Sequence, residues 1–78
     1  MHDTFQRVAE VIRKQIPSAG SIRMDSELVR DLGADSLDQM NMLCDLEDAF
    51  DVEIPAAEEE KIRTVRDAVE LMERLQNK

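Results

Sequence analysis

The run Asp31-Leu32-Gly33-Ala34-Asp35-Ser36-Leu37-Asp38 puts a serine hydroxyl where a glycine-containing loop gives way to an acidic, amphipathic segment. That hydroxyl, on Ser36, is the first candidate for chemistry, although a serine before an apolar helix most often serves as a cap or first-turn residue. Cys44 is the single cysteine and a second candidate nucleophile. The one histidine, His2, stands near a terminus and no basic activator is evident, so packing or a partly exposed contact is expected of Cys44 rather than Cys-His catalysis, and His2 is given no function. The central acids invite a calcium reading, but an EF-hand loop begun at Asp31 needs glycine sixth and glutamate twelfth. Ser36 and Met42 stand there instead. Weak divalent binding by Asp35 with Asp38, or by Glu47, Asp51 and Glu53, would only relieve charge repulsion, and neither a metal site nor a catalytic residue is expected.

The charge that surrounds Ser36 is local. The 78 residues carry a net charge of −8, yet residues 1–24 hold four bases against two acids, and residues 61–78 are also net positive. Residues 25–60 hold thirteen acids and Arg30 as their sole base. Such a field repels nucleic acid phosphates and anionic headgroups and draws in proteins presenting Lys and Arg. No nucleic acid partner and no membrane insertion are therefore expected, and no run approaches the roughly 20 apolar residues that span a bilayer. One cysteine and no visible secretory leader point to a reducing cytoplasm.

The elements that must position Ser36 can be read from periodicity. A content of 42% hydrophobic residues, spread periodically among 36% charged ones, argues for one folded domain over residues 1–78 rather than disorder. Phe5, Val8, Ile12 and Ile16 share one face of a first helix, capped by Asp3 or Thr4 and ended by Pro17. Residues 17–35 lack helical periodicity, and Ile22, Met24, Leu28 and Leu32 are expected to pin this long loop, with at most a short helical turn, to a core. Loops of that length usually have a function.

A second helix is expected from Ser36 to about Phe50, with Leu43, Leu46 and Phe50 inward and Asp38, Asn41, Asp45 and Asp48 on another face. Asp35 and Asp38 suit its positive N-terminal end. Ile54-Pro55 interrupts, Ala56 to Ile62 predicts a short third helix, and Thr64 with Asp67 three residues on forms a capping-box signature before a last helix. Val65, Ala68, Val69, Met72 and Leu75 form the inward face of that helix. The fold class is all-α: a small four-helix bundle with three longer helices, one short helix and a long first loop. Met24, Met40, Met42 and Met72 are expected to act first as adaptable packing residues.

The Asp-Ser-Leu run closely resembles the attachment motif of acyl carrier proteins. The resemblance continues through Leu46-Glu47-Asp48, Phe50, Val52-Glu53-Ile54-Pro55 and Ile62-Arg63-Thr64-Val65, and so covers most of the chain. It implies that Ser36 receives a phosphopantetheine arm from coenzyme A through a magnesium-dependent phosphopantetheinyl transferase, and that the arm's thiol carries acyl groups as thioesters. The carrier itself catalyses nothing. Asp35 and Asp38 would guide basic transferase or synthase surfaces to the serine, Leu37 and Met40 would add apolar contacts, and Asn41, Asp45, Glu47 and Asp48 would extend that surface. Partners are then the transferase, acyltransferases and synthase enzymes of fatty-acid, lipid or polyketide synthesis, met by a monomer.

Asn41, Cys44, Asp45, Ala56, Ala57 and Arg30 depart from the pattern usual in housekeeping fatty-acid carriers. They leave the motif whole and alter the surface around it, as in a specialised carrier. Two alternatives stay open on sequence: an aminoacyl or peptidyl carrier, and an unmodified acidic adaptor in which Ser36 is only a cap.

Overall fold

Asp3 starts the first helix: its Oδ1 accepts the Gln6 N–H at 2.8 Å, ahead of α1 (Thr4–Gln15). The computed structural model describes residues 3–77, so His2 lies outside the described residues. Val8, Val11 and Ile12 bury one side of α1, and Arg13 and Lys14 occupy its last turn, where positive charge opposes the exposed carbonyls. The helix stops two residues before Pro17, because the residue preceding proline is pushed out of the helical region. Ile16, at the C-cap, is buried.

The expected second and fourth helices form as α2 (Ser36–Phe50) and α4 (Val65–Gln76). Met42, Leu46 and Phe50 are the buried residues of α2, with Leu43 half-buried beside them. In α4 Val65, Ala68, Val69, Leu71 and Met72 are buried and Leu75 packs partly against the core. α1 packs on both α2 and α4. Arg7 locks the first contact: its guanidinium lies 4.0 Å from the centroid of the Phe50 ring and donates to the Ala49 carbonyl, placing positive charge at the C-terminal end of α2.

The third helix is shorter than the periodicity suggests. α3 spans Ala56–Glu59, not Ala56 to Ile62, and buries none of its residues. The Lys61 and Ile62 N–H groups bond three residues back, to the Glu58 and Glu59 carbonyls, which tightens the chain out of the α-helix. Residues 63–66 are claimed instead by the first loop. Leu28 N–H bonds the Arg63 carbonyl at 3.0 Å, Val65 N–H bonds the Ser26 carbonyl at 2.9 Å, and Arg66 N–H bonds the Met24 carbonyl at 2.8 Å, around an antiparallel bridge between Glu27 and Thr64.

The loop thus has a backbone scaffold as well as apolar anchors. Leu28 and Leu32 are buried as expected, Ile22 and Met24 are half-buried, and Ser26 is also buried, its Oγ accepting the Arg23 N–H at 3.0 Å. The short helical element takes the form of hydrogen-bonded turns over residues 28–32.

Thr64 and Asp67 complete the predicted box at the head of α4. Thr64 Oγ1 accepts the Asp67 N–H at 3.2 Å, while Asp67 Oδ2 accepts the Thr64 N–H at 3.0 Å and the Arg63 N–H at 2.9 Å. Burial alone would raise the Asp67 carboxyl, but the Thr64 and Arg63 hydrogen bonds and the Arg63 charge outweigh it and hold the group below its usual value of 3.8. The stabilisation this gives is full above the unfolded-state pKa and disappears as pH falls through the lower folded-state value. Asp67→Asn is expected to lose about 1 kcal/mol at neutral pH. In urea unfolding the gap to wild type should narrow on acidification below about pH 4, and a gap that stays constant there would contradict this assignment.

Candidate functional site

The geometry around Ser36 begins with the turn before it. Leu32 and Ala34 are buried, and between them Gly33 takes φ +77°, a left-handed conformation that costs glycine little. The Ala34 N–H bonds the Leu28 carbonyl at 2.9 Å, so the chain leaves the loop in a set direction. Asp35 then adopts an extended conformation and caps α2: its Oδ1 accepts the Asp38 N–H at 2.8 Å, and Asp38 Oδ2 accepts the Asp35 N–H at 3.2 Å.

This reciprocal box decides what Ser36 is not. Ser36 is the first residue of α2, exposed, and the capping oxygen belongs to Asp35. Among the described residues no side-chain hydrogen bond engages the Ser36 hydroxyl. The oxygen is free for a group brought from outside.

The other candidate residues fall into two sets. Leu37 and Met40 are 66% and 65% exposed, and Asn41, Cys44 and Asp48 are exposed as well. Met40 is four residues from Ser36 and so shares its face of the helix. Asp45 and Glu47 are half-buried and already engaged. Asp45 Oδ2 accepts from Gln15 Nε2 of α1 at 3.0 Å, and Glu47 Oε2 accepts the Ile54 N–H at 2.8 Å, closing the loop beyond the left-handed C-cap Asp51. Of the acidic face expected on α2, Asp45 is drawn toward α1 by this contact, while Glu47 is held by a residue seven positions on, in the segment that follows the helix.

Two features escape the motif. Val29, 57% exposed, stands out of the first loop because Leu28 and Leu32 turn inward and leave it at the tip. Ile12, Leu28, Met42, Leu46, Ile62 and Ala68, together with Gln39, Leu43 and Glu59, line a partly open pocket of about 30 Å³. That is room for a water-sized occupant. Among the described residues, no group of three or more His, Cys, Asp or Glu side chains converges on a metal-sized site, and no helix is long and apolar enough to cross a membrane.

Comparison with known proteins matches this arrangement to one family. Residues 6–77 fit the family described as phosphopantetheine attachment site. The chain is 38% identical to the acyl carrier protein of Campylobacter hominis, with 94% of each chain covered. It is 42% identical to that of Prochlorococcus marinus, covering 91% of this chain and 90% of the relative. The chain belongs to the acyl carrier protein family.

A solved structure described as an acyl carrier protein from Mycobacterium tuberculosis superposes with a TM-score of 0.78 at 31% identity, covering 82% of this chain and 86% of that one. Acyl carrier proteins hold acyl groups on a phosphopantetheine arm and catalyse no reaction themselves. Membership brings partner enzymes with it, a transferase that installs the arm and synthase enzymes that use it.

For this acyl carrier protein the Asp35 cap is the residue that starts the site helix. Asp35→Ala is expected to cost about 1 kcal/mol, seen as a fall of about 4–8 °C in a thermal melt of a domain this size. An unchanged melting temperature would mean that another group initiates α2.

Proposed function

We propose that Ser36 is the residue that bears the arm, in a monomeric cytoplasmic carrier serving fatty-acid, lipid or polyketide synthesis. The observation that carries this reading is the exposed Ser36 hydroxyl at the first turn of α2, with the capping work done by Asp35. In the transfer the Ser36 oxygen forms a bond to phosphorus as the diphosphate linkage of coenzyme A breaks, adenosine bisphosphate departs, and the hydroxyl proton passes to the transferase. Once attached, the arm supplies a terminal thiol on which cargo is held as a thioester.

The chain's own residues orient the encounter. Asp35, Asp38 and Asp48 present negative charge around and along the helix from Ser36, and Leu37, Met40 and Asn41 offer contact area beside it. Asp45 and Glu47 contribute to the same field from half-buried positions, so their charge acts at longer range than their side chains can touch. Complementary charge of this kind mainly raises encounter rate and sets orientation. The small cavity behind Gln39 gives cargo a place to shelter only if its walls part, and α3, with no buried residue, is the wall with least holding it.

Intact mass after incubation with coenzyme A, magnesium and a phosphopantetheinyl transferase should show one added arm on wild type and none on Ser36→Ala. Addition to the alanine variant would move the site elsewhere. Because Ser36 is exposed and takes no part in the cap, Ser36→Ala should keep stability within about 0.5 kcal/mol of wild type.

Salt supplies a separate check. Raising ionic strength from about 0.05 to about 0.3 M shortens the Debye length and should lower kcat/KM for modification several-fold. A rate indifferent to salt would argue against steering by the acidic face.

A further inference from the structure

The first loop and residues 60–63 enclose a surface groove of about 450 Å³ lined by Val29, Arg30, Gln39, Glu60, Ile62 and Arg63, with Glu27 at its wall. Gln39 ties this groove to the proposed site, since it is three residues from Ser36 and on the same face of α2. An enzyme acting at Ser36 therefore covers the groove's edge.

The charge of this edge runs against its surroundings. Arg30 is the sole base among residues 25–60, and its side chain is 79% exposed. Glu27 does not neutralise it fully. The Glu27 carboxylate is held at 3.1 Å by Arg63 Nε, itself 79% exposed, while Arg30 Nη1 reaches it only at 3.7 Å. Two guanidiniums thus share one carboxylate, with Glu60 as the groove's other acid.

The base of the patch is held firmly. Asp31 N–H bonds the Glu27 carbonyl at 2.9 Å and Gly33 N–H bonds the Val29 carbonyl at 3.1 Å. Asp31 Oδ2 accepts the Glu27 N–H at 2.7 Å, and Leu28 is fastened to Arg63. A lone exposed valine is ordinary on a protein surface. An exposed valine beside a guanidinium that shares its one salt-bridge carboxylate with Arg63, on a braced turn next to the proposed modification site, is a preorganised contact that loses little freedom on binding.

We propose that Val29 and Arg30 form a selectivity patch that fits the phosphopantetheinyl transferase of the same organism, through a carboxylate that this enzyme places beside an apolar side chain at this edge. The incoming carboxylate meets Arg30 and Arg63, and the apolar group packs on Val29 and Ile62. A uniformly basic partner docks on the α2 acids but is opposed by Arg30 at the groove, so the patch discriminates among enzymes that the acidic helix alone would attract.

This inference rests on Ser36 as the attachment residue, and the test separates the two. The probe is the phosphopantetheinyl transferase of the same organism, with modification of the unmodified carrier followed kinetically. Arg30→Glu should raise KM at least 10-fold with kcat unchanged, Arg30→Gln should raise it about 3-fold, and Val29→Ala should raise it by a similar factor. Long-range steering predicts the opposite sign, because Arg30→Glu makes an already acidic carrier more negative and so more attractive to a basic enzyme. An unchanged or lowered KM for Arg30→Glu overturns the proposal. Should the charge reversal disturb folding, an unchanged or lowered KM for Arg30→Gln overturns it equally. All of these variants should still reach one added arm at long times, whereas failure of the Ser36 assignment would show as arm addition to Ser36→Ala.

Discussion

The pairing of the first loop with residues 63–66 is the constraint on which the rest of the structure depends. Three backbone hydrogen bonds and the Glu27–Thr64 bridge fasten a segment that has no helix of its own to the head of α4. The same contact ends the third helix early, seats Leu28 and Leu32 in the core, and orients the Gly33 turn from which α2 departs. Without it the loop would meet the entropic cost of ordering with little in return, and the Gly33 turn that leads into Ser36 would lose part of its anchorage. A loop of this length in a chain of 78 residues is tolerable because its polar backbone groups are paired rather than merely covered.

The acids of the middle segment do two things at once. Asp35, Asp38, Asp31 and Glu47 each accept a backbone N–H, closing the start of α2, the loop turn and the passage beyond α2. Asp45 joins α2 to α1 through Gln15. These carboxylates stabilise the fold by satisfying donors that the helix ends and turns leave over, yet their charge still projects into solvent as a field that partners feel. The same bonds brace the helix start at which the exposed Ser36 hydroxyl stands.

Stability and movement are divided along the chain in a way that suits a carrier. Val8, Ile12, Val65 and Met72 are the fully buried centre, drawn from α1 and α4 and so from the helices farthest in sequence from the modification motif. α2 is fastened to α1 through Arg7 on Phe50 and Asp45 on Gln15. Among the described residues, the salt bridges of α3 are those of Glu58 with Lys61 and with Arg74, at the surface, where such pairs contribute little. Residue Glu59 of α3 borders the small apolar pocket that Met42, Leu43 and Leu46 of α2 also line.

The sequence by itself determined the four helical segments, the capping box at Thr64 and Asp67, the site helix starting at Ser36 and the family, because helical periodicity, caps and a contiguous motif are local signals that need no knowledge of neighbours. It could show that Asp35 and Asp38 favour the helix start, but left open whether Ser36 or Asp35 supplied the capping oxygen, since serine and aspartate are both good caps. Tertiary structure decided what depends on contacts between distant residues. Ile62 left the third helix because residues 63–66 pair with a loop more than 30 positions away in the chain. Asp45 left the open acidic face because Gln15 of α1 claimed it, and Val29 came to stand beside the proposed site because Leu28 and Leu32 both turned inward. Periodicity says which residues share a face of their own element, and only packing says what that face meets.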